Sequence, residues 1–397
     1  MSLSLSKHIT ALKPSPTLAM VSAIAQRKLE GKETIAFNIG EPDFDTPKFI
    51  NEAIKNAIDN GYTRYVEVKG IKPLRIEISK KLKEENNLDY NEDQIVVTTG
   101  AKQALFNVVM TLINKGDEII IPKPCWVSYE EMVTSVGGKC IFLETDEYFM
   151  PDLKQLEEMI TPKTKAIILN TPNNPTGAVY DRKTLEKIAQ LAVEHQFYVI
   201  SDEIYEKLIY TNKELVSIGS LNKEILEQTI TINGFAKAFA MTGYRIGYLA
   251  APNHIAKAIA NLQGHMTSNS TTPVQYGAVV ALQEGKESIE FMVKEFSKRR
   301  ELCFKLLDDI EGITYSKVEG AFYIMLNVKN YFNKKYQNYT INNADDLSLY
   351  LLDNASIALV SGKAFQAPEY LRFSYSNSIE NITKGLLALK EALSLLK

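Results

Sequence analysis

The stretch Phe197-Tyr-Val-Ile-Ser-Asp202-Glu-Ile-Tyr205 decides how this 397-residue chain folds. Its first five residues form a short apolar run without clean alternation, the pattern of a strand buried on both faces. Asp202 and Glu203 then mark the strand's carboxyl end. Runs of the same kind stand at residues 94–98, 118–121, 139–143 and 166–169, with helical patterns between them at 102–113 and 183–195. That alternation predicts an α/β domain with a largely parallel sheet and crossover connections. Two more strands, at 228–233 and 246–250, complete the series. A long helical stretch, 274–310, leads into a second and smaller unit with strands at 321–326, 357–360 and 370–374. The unit closes on an amphipathic helix, 379–396. The N-terminal arm carries a helix at 16–29 and is expected to pack with it.

Composition narrows the function classes. The net charge of −3 offers no electrostatic case for nucleic acid or an anionic membrane. The three cysteines, Cys125, Cys140 and Cys303, have no metal spacing and make no disulfide framework. The N-terminus lacks a signal-peptide core, and no apolar run reaches membrane-span length, so a cytoplasmic location is expected. His8, His195, His254 and His265 form no ligand cluster, and no metal is assigned.

In a doubly wound sheet, ligands bind at the carboxyl ends of the strands, and the informative residues fall there. The strand 228–233 runs into Gly234-Phe-Ala-Lys237-Ala-Phe-Ala-Met-Thr-Gly-Tyr-Arg245, small and apolar apart from two cations. A lysine in such surroundings loses hydration, its pKa falls, and its amine becomes a nucleophile for a carbonyl. An arginine offers a fork suited to phosphate. Taken alone, the pair also fits a surface turn with two solvated cations. Thr99-Gly100-Ala101-Lys102 reads as a phosphate-binding helix start, or simply as a tight βα turn. Asp202 suits a protonated pyridine nitrogen, or equally a helix N-cap. Asn174, in Asn170-Thr-Pro-Asn-Asn-Pro-Thr-Gly177, suits a ring hydroxyl, or belongs to a plain proline-rich turn. Trp126, the one tryptophan, suits stacking on a flat ring, or ordinary packing. Five strand ends aimed at one cofactor are less easily accidental than any one of them, and the cofactor they suggest is pyridoxal phosphate (PLP).

With these residues in view, the chain resembles the fold type I PLP enzymes, within them the class I aminotransferases and their bacterial aspartate aminotransferase subgroup. The likeness runs from Leu12-Lys-Pro-Ser15 to the last helix. It includes Gly40-Glu-Pro-Asp-Phe-Asp-Thr-Pro47, Thr171-Pro-Asn-Asn-Pro-Thr-Gly177, Ser201-Asp-Glu-Ile-Tyr205 and Ala236-Lys-Ala-Phe-Ala-Met-Thr-Gly243. The resemblance implies a large, mostly parallel seven-stranded sheet domain and a smaller α+β domain. An arm and part of the small domain would occupy 1–48, the large domain 49–290 and the rest of the small domain 291–397. Lys237 would carry the cofactor and move the proton at the substrate Cα. Asp202 would pair with the ring nitrogen, and Asn174 and Tyr205 with the phenolic oxygen. Trp126 and Ile204 would flank the ring. Arg245, the Gly100-Ala101-Lys102 backbone and Tyr65 of a neighbouring subunit would hold the phosphate, which implies a homodimer with shared active sites. Arg372 and the Gly40 N–H would clamp the α-carboxylate of the amino acid or 2-oxo acid.

Substrate choice, by the same resemblance, rests on Lys102 for a distal carboxylate, aided by Ser15 and Thr17. Lys13 goes with added activity on prephenate. The implied reaction is ping-pong transfer between L-aspartate and 2-oxoglutarate. An aromatic or alanine aminotransferase, or a carbon–sulfur lyase, would keep the same cofactor residues. A PLP-binding regulator would normally add a DNA-binding module. The chain departs from the family pattern in having Gly234 and Gly100 where hydroxyl residues are common, and in having Cys125 before Trp126.

Overall fold

The computed structural model describes residues 5–13 and 16–397. Seven strands form the main sheet: β1 (Ile95–Thr98), β2 (Glu118–Pro122), β3 (Lys139–Leu143), β4 (Thr164–Asn170), β5 (Tyr198–Asp202), β6 (Thr229–Gly234) and β7 (Gly247–Ala250). Their order is β1-β7-β6-β5-β4-β2-β3. Six run the same way, and β7 lies antiparallel to both its neighbours.

Both faces of the sheet are covered, which is why its strands read as continuous apolar runs. Val96, Ile168, Ile200, Ile230 and Leu249 pack on one side with the helices Ala101–Leu112 and Asn253–Met266. Ile167, Leu169 and Val199 face the other way, onto Leu185, Ile188 and Leu191 of Arg182–His195. Asp181 starts that helix by accepting the Thr184 N–H at 2.8 Å, and an N-cap of this type contributes about 1 kcal/mol.

A second sheet holds β8 (Thr314–Tyr315), β9 (Tyr323–Asn327), β10 (Val360–Ser361) and β11 (Tyr370–Ser374), ordered β10-β11-β9-β8. Its core gathers Phe37, Phe296, Phe322, Phe373 and Tyr375 with the closing helix Ile379–Ser394. That helix buries Ile382, Leu386, Leu389 and Leu393, one face of its 3.6-residue period. The arm joins this unit where Ile35–Ala36 pairs in parallel with Ile357–Ala358.

Two expectations change. The stretch 357–360 is not one strand: residues 357–358 pair with the arm, and 360–361 pair with β11. The helical stretch 274–310 is two helices, Thr272–Glu284 and Lys286–Leu307. Gly285 separates them for a packing reason that its own neighbours do not reveal. A Cβ there would sit 2.3 Å from Phe239 Cε1 and 2.4 Å from the Ala281 carbonyl oxygen. Phe239 comes from the Lys237 segment, so the break lets that segment seat against the helix junction. Among the described residues, no helix is long and apolar enough to cross a membrane.

Candidate active site

The carboxyl ends of β1, β2, β4, β5 and β6 share one edge of the sheet. Because β7 is antiparallel, its first residue meets that edge too, with Gly247 paired to both Gly234 and Thr98. This reversal brings Arg245 beside the Gly100 turn. A Cβ on Gly100 would come within 2.7 Å of Arg245 Nη2, and one on Gly247 within 2.4 Å of the Ala101 nitrogen. Gly100 has φ +80°, and no side chain caps the helix it starts. The first N–H groups of Ala101–Leu112 and the Arg245 guanidinium therefore converge on one spot suited to an anion.

The missing hydroxyl at Gly234 also finds its reason. A Cβ there would meet Gly247 Cα at 2.9 Å and the Ile246 carbonyl oxygen at 3.2 Å. Backbone on the adjacent strand leaves no room for serine or threonine.

Asp202 is buried at the end of β5. Tyr129 donates to its Oδ2 at 2.7 Å and the Ile204 N–H to its Oδ1 at 3.2 Å. Burial raises the carboxyl to about 6, while the Tyr129 bond opposes the rise. Tyr129 is absent from the sequence reading, although it lies one turn beyond Trp126 on the helix Val127–Ser135. That spacing was the available signal, and the two rings meet edge to face at 5.3 Å.

Lys237 donates to the Gly40 carbonyl and lies 5.6 Å from the Tyr205 ring centre. Burial lowers its amine to about 8, against the opposing pull of Glu41. Tyr205 shares a hydrogen bond of 3.0 Å with Tyr323, a second residue the sequence did not flag. Asn174 is buried between the cis peptide bonds Thr171-Pro172 and Asn174-Pro175. Its backbone N–H donates to Asn170 at 2.8 Å, and its side-chain oxygen accepts from Arg372 at 3.1 Å. Ile204 is half-buried and would be 3.3 Å from a Cβ on Gly234.

Arg372 reaches the same place from β11 and is 2 % exposed. Its other amine group donates to the Asn38 carbonyl at 2.8 Å, and its plane lies between Tyr323 and Phe365, 4.6 and 4.8 Å from their centres. Its Nε has no partner. Lys102 stands at the mouth, its Nζ 4.8 Å from the Trp126 ring centre, with partial desolvation and then Arg245 lowering its pKa. Among the described residues, no carboxylate forms an ion pair with Lys102, Lys237, Arg245 or Arg372. Arg372 is buried without a counter-ion, which is costly, so it calls for an anion from outside the chain, while Lys102 and Arg245 stand exposed.

Tyr65 is 89 % exposed and stands apart from this cluster within the chain. Lys13 contacts the helix that follows Trp126. Ser15 lies outside the described residues, as does the side chain of Thr17.

The residues 32–389 match the family described as aminotransferase class I and II. The chain belongs to that family. It is therefore an aminotransferase, built on the fold type I α/β architecture. It is 41 % identical to a probable aspartate/prephenate aminotransferase of Aquifex aeolicus, across 98 % of each chain. It is 39 % identical to the aspartate aminotransferase of Bacillus subtilis, across 97 % of this chain and 98 % of that one. The solved structure of the aspartate aminotransferase from Thermus thermophilus with maleate superposes with a TM-score of 0.93 at 38 % identity, covering 98 % of this chain and all of that one. Members of the family use PLP, act on amino and oxo acids and are typically dimeric.

Behind the site of this aminotransferase lies a second polar cluster. Glu203 points away from Asp202 and accepts from Ser201 at 2.9 Å, Ser217 at 2.7 Å and Asn86 at 3.2 Å. Asn86 also donates to Glu206 at 2.7 Å, and Glu206 pairs with Lys81. Burial, then the nearby Glu206, raises Glu203 from 4.5 to about 7. Burial opposes ionisation of Glu206 too, but Lys81 and Lys207 together hold it below its ordinary value. A carboxyl raised on folding contributes stability that is full below pH 4.5 and is lost as pH rises through about 7. Glu203→Gln removes that loss. Its stability relative to wild type is expected to improve by roughly 1–3 kcal/mol between pH 5 and pH 8, read by urea unfolding. A difference that stays constant across the two pH values contradicts the assignment.

Proposed function

We propose that this enzyme binds PLP and transfers the amino group of L-aspartate to 2-oxoglutarate, giving oxaloacetate and L-glutamate. We propose prephenate as a second amino acceptor. The observation that carries the reading is the set of four cations, Lys102, Lys237, Arg245 and Arg372, at one end of the sheet, none of them in an ion pair with a carboxylate among the described residues. One phosphate and two substrate carboxylates would supply the missing negative charge. The names of the relatives, and the diacid maleate in the Thermus structure, support a dicarboxylate.

The residues fit the cofactor. Arg245 and the Gly100-Ala101-Lys102 turn would hold its phosphate, with Tyr65 of a second copy completing the site in a homodimer. Asp202 would accept from the ring nitrogen while Tyr129 fixes its other oxygen. Asn174 and Tyr205 would reach the phenolic oxygen, with Trp126 and Ile204 on the two ring faces. Bound PLP would supply an electron sink for the carbanion at the substrate Cα and a carbon that receives the amino group.

Arg372 would take the α-carboxylate as a fork, beside the Gly40 N–H, and Lys102 the distal carboxylate, near Ser15 and Thr17. With its pKa lowered to about 8, Lys237 gives up its proton far more readily than an ordinary lysine, so its free amine can take the Cα proton and return it. Lys13 would serve the outer carboxylate of prephenate. With a division into arm (1–48), large domain (49–290) and small domain (291–397), the site would lie between the two sheets. A cytoplasmic setting suits three free thiols.

The test is the absorption spectrum of the purified protein before and after aspartate, followed by an aspartate and 2-oxoglutarate assay. The expected result is a cofactor band that shifts with aspartate, and glutamate formation with ping-pong kinetics. Elimination products instead of glutamate would indicate a lyase and overturn the proposal.

A further inference from the structure

We infer that Glu130 is a specificity-setting positioning residue, a carboxylate latch that holds Lys13 and disfavours acceptors whose second carboxylate lies far from the first. The inference rests on the proposal that Lys13 serves prephenate. Residues before the helix Pro16–Leu29 fold back onto the helix Val127–Ser135. There the Lys13 backbone N–H donates to Glu131 at 3.1 Å and the Lys13 ammonium to Glu130 Oε1 at 3.3 Å. The second oxygen of Glu130 accepts from Gln366 Nε2 at 2.7 Å.

Gln366 follows the turn Gly362–Phe365, which is tied to the active site twice. The Phe365 carbonyl accepts the N–H of Cys125 at 3.1 Å, next to Trp126. The Phe365 ring lies 4.8 Å from the Arg372 guanidinium carbon. One carboxylate thus joins the N-terminal segment, the helix that opens at Trp126 and the turn packed against Arg372.

The charges explain how a latch there would discriminate. A short diacid engages Arg372 and Lys102 and needs nothing further out. A ring diacid such as prephenate would reach past Lys102, and on the reading proposed above Lys13 would receive its second carboxylate. Glu130 already neutralises that cation and repels an incoming carboxylate. Lys13 is 71 % and Glu130 28 % exposed at the side chain. An ion pair so exposed is weak and exchangeable, so substrate can displace Glu130, though at a reduced affinity. The latch therefore acts on KM for the long acceptor and leaves the chemical step alone.

The experiment compares steady-state kinetics with prephenate and with 2-oxoglutarate in the PLP-loaded wild type, Glu130→Gln, Lys13→Gln and the double variant. Glu130→Gln keeps the size of the side chain and removes its charge. Its KM for prephenate is expected to fall about threefold to fivefold with kcat unchanged, while the 2-oxoglutarate parameters stay put. In the Lys13→Gln background the same change should have no effect on prephenate. An unchanged prephenate KM, or parallel changes for both acceptors, overturns the latch. Wild type without prephenate turnover removes the acceptor reading instead. In that case a Glu130→Gln variant that gains prephenate turnover supports the latch, and one that gains none overturns it as well.

Discussion

Lys237→Ala is expected to abolish transamination, with kcat falling by roughly 10⁴-fold or more, because one amine is assigned two tasks. It would anchor the cofactor, and it would carry the proton at Cα, a task worth about 10²–10⁴-fold by itself. Among the described residues, no other amine is placed to substitute. Lys102 lies over Trp126 at the mouth, whereas Lys237 reaches the Gly40 carbonyl beside Tyr205 and Phe322. Lys237→Arg separates charge from chemistry, since a guanidinium keeps its proton throughout the working pH range. It should be nearly as inactive as the alanine variant. The readouts are glutamate formation and the pH-sensitive visible absorbance of the bound cofactor, with circular dichroism to show that the fold persists. Ordinary turnover in Lys237→Ala would end the assignment.

Arg372→Ala is expected to lower kcat/KM for every amino-acid and oxo-acid substrate, because all of them carry an α-carboxylate. Removing one partner of a buried, hydrogen-bonded charge pair costs about 2–5 kcal/mol, or roughly 30-fold to several-thousand-fold in kcat/KM. Arg372→Lys restores the charge but not the planar fork held between Tyr323 and Phe365, and should recover little. The spectrum of bound cofactor should persist in both variants, since Arg372 is assigned to substrate alone. Steady-state kinetics with aspartate and with glutamate check the prediction. A loss confined to one substrate would move Arg372 from the α-carboxylate to a side-chain role.

The positions of the candidate residues were legible where local sequence sets local structure. A buried strand followed by a polar end located Asp202. A strand running into small residues located Lys237, and a glycine turn before a helix located Gly100 to Lys102. The strand at Tyr370–Ser374, which bears Arg372, was legible in full as a short run holding Tyr370, Leu371 and Phe373. Tyr129 was legible only as a residue one turn beyond Trp126, since its tie to Asp202 spans 73 residues. Gly285 was missed because the group that forbids a side chain there, Phe239, lies 46 positions earlier in the numbering of the same chain.

By itself the sequence determined the α/β class, the edge of the sheet where ligands bind and the residue types suited to a carbonyl, a ring nitrogen and a phosphate. Tertiary structure decided the rest. The reversed direction of β7 carries Arg245 to the Gly100 turn, and its backbone closes off the space above Gly234. The second sheet delivers Arg372 as a buried cation without an acid, and Gln366 joins Lys13 on Glu130. The physical reason is the range of the forces. Strand and turn preferences act over a few residues, whereas close contacts and uncompensated charge depend on segments that only folding brings together.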